Sequence, residues 1–219
     1  AFYERAGYVD CLGAEDRKGS LTVIGAVSPP GGDFSEPVTQ NTLRVVKVFW
    51  GLDSKLAYSR HYPAINWLTS YSLYQDNVEG YMRREVAEDQ PEYRNLAMDL
   101  LQQEAKLEEL VRLVGADSLS GKEQLILMVS KMLREDYLYQ NSFDAKDART
   151  PLKKQYQMLK TILTVYKAAQ ELVENEEFDM EALKNLDAVK EIPKVKDLDE
   201  DEQFEDLQNR LQSGITSLA

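Results

Sequence analysis

Cysteine is nearly missing from this chain: Cys11 is the only one in 219 residues. That excludes a disulfide framework and a thiolate metal cluster, and it suits a reducing compartment. Histidine is equally scarce, with His61 standing alone, so no histidine cluster can hold a metal and no metal site is expected. No apolar run approaches the length of a membrane span and no signal peptide opens the chain, so a cytoplasmic protein without direct membrane insertion is expected. Excess basic charge is absent too: 38 acidic against 26 basic residues give a net charge of -12. Nucleic acid is therefore excluded as a partner, because there is no basic footprint to neutralise phosphates. A phosphate cradle is also lacking. Such a cradle needs a glycine-rich loop closing in Gly-Lys-Ser/Thr, and the one candidate, Gly121-Lys122, continues into Glu123.

What is present divides into two kinds of sequence. Before about residue 78 the chain has α/β character. The run Leu21-Thr22-Val23-Ile24-Gly25-Ala26-Val27 reads as one buried strand, ending in a rigid loop from Ser28 to Pro37 that holds Pro29, Pro30, Gly31, Gly32, Asp33 and Glu36. Loops at the carboxyl ends of strands in α/β sheets are where ligands bind, so this loop is a functional candidate. Its carboxylates Asp33 and Glu36 are assigned to turn capping rather than to catalysis or metal binding. Pro37 opens a short helix reaching about Val46, Val45 to Trp50 has strand character, and Asp53 caps a short helix through His61. Tyr62 then leaves that helix extended, because a residue before proline is pushed out of the α region. Trp50 and Trp67 are expected in the core, and His61 at a helix C-terminus. Two or three strands cannot cover their own faces, so the sheet is expected to be incomplete. The opening Phe2-Tyr3-Glu4-Arg5-Ala6-Gly7 reads as the last turn of a helix closed by glycine, hence a piece of a longer chain.

From Asp76 to Pro91 the chain is punctuated by Gly80, Asp89 and Pro91, and beyond it apolar residues recur at helical spacing. Tyr93, Leu96, Leu100, Leu107, Leu110, Val111 and Val114 form one stripe, stopped by Gly115. After a turn, a second helix from about Gly121 to Tyr139 uses Leu125, Met128, Val129, Met132, Leu133 and Tyr137, and the two should lie antiparallel. Thr150-Pro151 starts a third helix with Leu152, Tyr156, Leu159, Leu163, Tyr166 and Val173. Asp179 caps a fourth, ended near Ile192 by Pro193. Lys194 to Glu202 reads as a solvated linker, and Phe204, Leu207, Leu211 and Ile215 mark a final amphipathic helix. The fold class is mainly α with a small α/β part.

Three segments carry a resemblance. Gly25 to Gln40, with its Ser28-Pro29-Pro30-Gly31-Gly32-Asp33-Phe34-Ser35-Glu36-Pro37 core, resembles a segment of the catalytic A (alpha) subunit of V-type and archaeal-type rotary ATPases, or ATP synthases. Arg60-His61-Tyr62-Pro63-Ala64-Ile65-Asn66-Trp67 and Arg134-Glu135-Asp136-Tyr137-Leu138-Tyr139-Gln140-Asn141-Ser142-Phe143 resemble two more, in the same order. The likeness runs to about Pro151 and weakens beyond it. This chain departs from the family at Tyr139, where a second glutamine is usual, and at Ser142, where alanine is.

The resemblance implies the tail of a RecA-like nucleotide-binding domain over 1–78 and a C-terminal helical bundle over 79–219. It implies that Tyr62, presented by Pro63, packs against an adenine ring, with Gln140 and Phe143 supplying the other wall. It implies that Gly115-Ala116-Asp117-Ser118-Leu119 faces a central rotating shaft. The intact subunit would use ATP or ADP with magnesium, alternate with three B subunits in a hexamer, sit peripheral to the membrane through the assembled complex, and couple ATP hydrolysis or synthesis to ion movement. The chain alone, with no catalytic residue and no phosphate loop, should be inactive and bind no cofactor. The alternative from another class is a non-catalytic acidic helical adaptor with a Pro-Gly docking loop.

Overall fold

The computed structural model describes residues 2–13, 15–115, 119–174 and 178–218. The chain is mainly helical with two small sheets, and it separates into two compact units: residues 1–50 with 70–75, and residues 51–69 with 76–219.

In the first unit, β1 (Gly7–Asp10) pairs antiparallel with β2 (Lys18–Leu21), Gly7 opposite Leu21 and Asp10 opposite Lys18. A second pair joins β3 (Val48–Phe49) to β4 (Tyr71–Ser72). The strand expected over Leu21–Val27 ends at Leu21. Its remaining residues lie in irregular chain, with Ile24 exposed. An apolar β-branched run forms a strand only against a neighbour, and no described strand lies beside it. The opening residues are likewise a single 3-10 turn (Tyr3–Arg5), with Gly7 starting β1 rather than closing an α-helix. Trp50, expected in the core, is 59% exposed. Among the described residues of this unit only Thr39 is buried, so aromatic edges take the place of a core. Phe34 meets Phe49, and Phe49 meets Tyr71, each at 5.8 Å between ring centroids.

The Pro-Gly loop is built as its composition requires. Pro30–Gly32 make one 3-10 turn, in which Gly31 and Gly32 take φ of 65° and 74°, the left-handed region that glycine enters without steric cost. Asp33 Oδ1 accepts from the Ser35 amide at 2.8 Å. Glu36 accepts from the amides of Val38 and Thr39 at 3.0 and 2.9 Å, capping α1 (Pro37–Leu43). Hydrogen bonds from Ser35 to Asp33 and from those two amides to Glu36 hold both carboxyls below the usual range. Both are thus committed to turns.

The second unit is a helical bundle. α3 (Gln75–Glu85), a helix not expected from the sequence, runs straight through Gly80, read there as punctuation. Arg83 fastens α3 to the next helix, donating to Glu79 at 2.8 Å, to Glu92 at 2.7 Å and to the Glu88 carbonyl. α4 (Gln90–Val114) carries Pro91 in its first turn, where an amide has no intrahelical partner, and ends at Gly115 with φ 87°. α5 (Gly121–Met132) starts from a reciprocal cap between Ser120 and Glu123 and widens into a π-helical turn over Leu133–Leu138. α6 (Leu152–Ala169) packs against α4, α5 and α9 (Asp201–Thr216).

The core is the common ground of those helices. Leu100, Leu125, Val129, Ile162, Leu163, Leu211 and Ile215 are fully buried, and burying such a side chain stabilises by about 1.5–3 kcal/mol each. The stripes read from the sequence point into this core except at their ends. Leu110 and Leu152 are exposed, and the side chain of Val114 lies outside the described set.

Three expectations about the C-terminal half are corrected. Pro151 is the N-cap of α6 rather than its first residue, and the Thr150 hydroxyl donates to the Asp147 carbonyl. The fourth helix is two, α7 (Met180–Asn185) and α8 (Asp187–Lys190), broken where Leu186 turns extended. Residues 194–202 are not a solvated linker. Ile192–Asp197 form a 3-10 segment with Ile192 and Val195 fully buried, Val195 packing with Met158 and Phe204. The charges around it disguised one anchoring side chain, Val195. The last helix matches expectation, with Phe204, Leu207, Leu211 and Ile215 all buried.

Gly121 gives a direct test of this packing. A Cβ there would lie 2.8 Å from the Val173 carbonyl oxygen, and backbone cannot move aside as a side-chain tip can. Gly121→Ala is expected to lower stability by about 1–3 kcal/mol, although alanine is the better helix former. Denaturant unfolding showing equal or higher stability would contradict this packing.

Candidate functional site

Two stretches of the helical unit meet at the candidate site. One follows α2 (Ser54–Tyr58). Asp53 caps this helix through the Lys55 amide at 2.7 Å, while its other carboxylate oxygen accepts from Asn66 Nδ2 at 2.9 Å. The Asn66 amide donates to the Gly51 carbonyl at 2.8 Å and the Asp53 amide to Ala64 at 2.9 Å, so the loop between is closed at its base. The Asn66 amide group beside it holds the Asp53 carboxyl below its ordinary value. Arg60, with φ 61°, turns the chain at the top of this loop, and the Tyr62–Pro63 bond is cis.

The other stretch begins in the π-helical turn. Arg134 sits there and serves three partners. Its guanidinium meets Glu104 of α4 with both carboxylate oxygens, at 3.0 to 3.1 Å. Its carbonyl accepts from the Tyr139 amide at 3.0 Å and faces His61 Nε2 at 2.8 Å. Facing a carbonyl, Nε2 carries the proton. Nδ1 is buried with no hydrogen-bond partner among the described residues. Glu104 is 5% exposed; burial pushes its carboxyl up, against the pull of Arg134.

Beyond Tyr139 the chain makes a tight loop. The Gln140 amide donates to the Tyr62 carbonyl at 2.6 Å, which joins the two stretches directly. The Gln140 side-chain amide donates to the Asp147 carbonyl at 2.6 Å. The Asp147 carboxylate accepts from the Asn141 amide at 2.6 Å and from Lys196 at 3.2 Å. Asn141 Oδ1 accepts from the Phe143 amide at 3.0 Å, an Asx turn that lifts Phe143 out of the loop.

The result is a pair of braced loops, each presenting an aromatic ring. Tyr62 is 52% exposed and Phe143 99% exposed. Neither is a core residue, so neither is held for its packing. Pro63 shapes the Tyr62 turn. Gln140, expected to line a pocket, commits its NH2 group to closing the loop. Of the expected shaft-facing residues, Gly115 ends α4, Leu119 is buried, and Ala116, Asp117 and Ser118 lie outside the described residues. Ser120 and Glu123 occupy the amides at the start of α5 that a phosphate cradle would need free. Among the described residues, no group of three His, Cys, Asp or Glu side chains is placed to hold a metal, and no helix is long and apolar enough to cross a membrane.

Sequence reasoning missed Arg134's partner Glu104, and it missed Asp147 and Lys196. Glu104 looked like one more surface acid on α4. Its only signal was its place on the buried side of the helix, one turn on from Leu100.

Residues 1–72 match the ATP synthase alpha/beta family, nucleotide-binding domain, and residues 79–182 match the C-terminal domain of V and A type ATP synthase. The chain is 62% identical over 173 residues to the V-type ATP synthase alpha chain of Thermoanaerobacter pseudethanolicus, covering 79% of this chain and 29% of that one. It is 57% identical over 207 residues to the A subunit of the A-type ATP synthase of Methanopyrus kandleri, covering 94% and 35%. The V-type ATP synthase alpha chain of Clostridium botulinum is 54% identical over 219 residues, covering 99% and 37%. The chain thus spans about a third of the length of these curated relatives. Among solved structures, the ATP synthase subunit NeqB from Nanoarcheaum equitans matches with TM-score 0.61 at 22% identity, over 74% of this chain and 37% of that one, a likeness of fold.

Two predictions follow from the charges at this site. Arg134→Met strands the Glu104 carboxylate and should cost about 3–5 kcal/mol, while adding Glu104→Leu should recover most of the loss; denaturant unfolding of the single and double variants checks both. Asp136, in the same π-helical turn, is raised from 3.8 to about 6, first by burial and then by Glu135. The folded protein therefore binds this proton more tightly than the unfolded chain, and stability falls as pH rises from about 4 to 6. Asp136→Asn should gain about 1–2 kcal/mol at pH 7.5, after allowance for residual solvent, with the gain fading below pH 4. Thermal unfolding across pH reads it.

Proposed function

The chain belongs to the V- and A-type ATP synthase A (alpha) subunit family, its residues 1–72 to the nucleotide-binding domain and 79–182 to the C-terminal domain; from this we propose that it supplies the adenine-side wall of a catalytic nucleotide pocket and the helical domain that moves with it. The observation that carries the reading is the Gln140–Tyr62 backbone hydrogen bond. It brings together two loops, each holding an aromatic side chain out into solvent with no structural use for it. A flat ring offers a purine a large contact area at little rotamer entropy. Tyr62 is the stacking residue and Phe143 the second wall. The braced loops hold both before ligand arrives, so less order has to be created on binding.

The residues present fit the base of a nucleotide and not its phosphates. In the whole subunit ATP, with magnesium, would give up its terminal phosphoryl group to water in hydrolysis, and ADP would accept one from inorganic phosphate in synthesis. In this chain the Gly121-Lys122-Glu123 sequence and the capped start of α5 offer no phosphate cradle, so the chain alone does not hydrolyse ATP. The wider assembly follows from the family. Residues 1–78 are the end of the nucleotide-binding domain and 79–219 the helical domain. The complete subunit stands in alternation with B subunits about a central shaft, toward which the exposed Gly115 end of α4 is directed, and drives ion movement while peripheral to the membrane. The helix hairpin of α4 and α5 links that tip to the Tyr62 loop through Arg134. The alternative of an acidic adaptor has no support.

The test is substitution at Tyr62 in the assembled ATPase. Base–aromatic stacking is worth about 1–3 kcal/mol. Tyr62→Ala should therefore raise the KM for ATP by about fivefold to a hundredfold with a much smaller change in kcat, and Tyr62→Phe should restore it. An unchanged KM in Tyr62→Ala would remove Tyr62 from the pocket.

A further inference from the structure

We propose that Lys196 is a positioning residue for the loop from Tyr139 to Asp147, and so for Phe143; the consequence for nucleotide binding rests on the adenine-wall reading, while the ordering of the loop does not. Phe143 touches almost nothing, so its place in space is set entirely by how its loop is closed. Lys196 closes it at both ends. Its Nζ donates to the Tyr139 carbonyl at the start and to the Asp147 carboxylate, at 3.2 Å, at the finish. It also stands over the Tyr139 ring, 5.1 Å from the centroid.

This is a built arrangement. The Lys196 and Asp147 side chains are only 16% and 10% exposed, and a mostly buried pair is screened far less than a surface one. The Asp147 carboxylate oxygen that meets Lys196 also accepts the Asn141 amide, which sets up the Asx turn under Phe143. Lys196 is itself fixed, because Val195 beside it is fully buried with Met158 and Phe204. A second tether runs in parallel: Lys146, within the loop, reaches the Asp197 carbonyl at 3.2 Å and Asp199 at 2.6 Å. The segment from Ile192 to Asp199 therefore works as a staple across the loop, joining Phe143 to the packing of α6 and α9. Without it the loop would sample many conformations, and ordering it would oppose ligand binding.

The experiment compares wild type, Lys196→Gln and Lys196→Arg, with Asp147→Asn as a second route to the same loss. Hydrogen exchange of this chain should show the Asn141 and Phe143 amides exchanging about tenfold faster in Lys196→Gln and Asp147→Asn, with α6 and α9 protection unchanged, and Lys196→Arg restoring the slow rate. Unchanged exchange at those amides in both variants would overturn the inference. So would loss of protection spread equally through α6 and α9, which would make Lys196 a general core contact. The KM for ATP of the assembled ATPase carrying Lys196→Gln separates the two readings. A rise of about fivefold with kcat nearly unchanged supports both, whereas a loosened loop with unchanged KM keeps Lys196 as the loop's staple and removes Phe143 from the adenine wall.

Discussion

A carboxylate held almost out of water governs the helical unit. Glu104 lies on the inner side of α4, where an unpaired charge would cost several kcal/mol, and Arg134 is the group that meets it. Meeting it fixes where the end of α5 lies against α4. The π-helical turn at Leu133–Leu138 then leaves the Arg134 carbonyl to accept both the next stretch of chain and His61. One ion pair thus sets the helix hairpin, the start of the Phe143 loop and the seat of the Tyr62 loop. Among the described residues His61 Nδ1, buried in this arrangement, has no hydrogen-bond partner.

The two units answer the problem of burial differently. The helical unit has a continuous core across α4, α5, α6 and α9, with Leu183, Val189 and Ile192 completing it. The other unit has many exposed apolar residues, among them Tyr8, Val9, Ile24 and Trp50, and almost nothing buried. Its strands find one partner each. A half-covered sheet gains little from the hydrophobic effect by itself. That residues 51–69 pack with the helical unit rather than with their sequence neighbours is what puts Tyr62 beside Gln140.

By itself the sequence determined the long helices of the bundle and roughly where they begin and end, but not α3 or the break between α7 and α8. Periodic apolar stripes such as Leu125, Val129 and Leu133, stops such as Gly115, and caps at Asp53 and Asp179 are local signals, written within one or two turns of chain. It also carried, through three short segments, the kinship that pointed to Tyr62 and Phe143. Tertiary structure decided the rest, because those outcomes depend on partners distant along the chain. Whether Leu21–Val27 is a strand turns on a neighbouring strand, and whether Glu104 or Lys196 is a surface charge or a buried tether turns on Arg134 and Asp147. A charged side chain looks the same in a string of letters whether water or a counter-ion solvates it, and only the folded chain settles which.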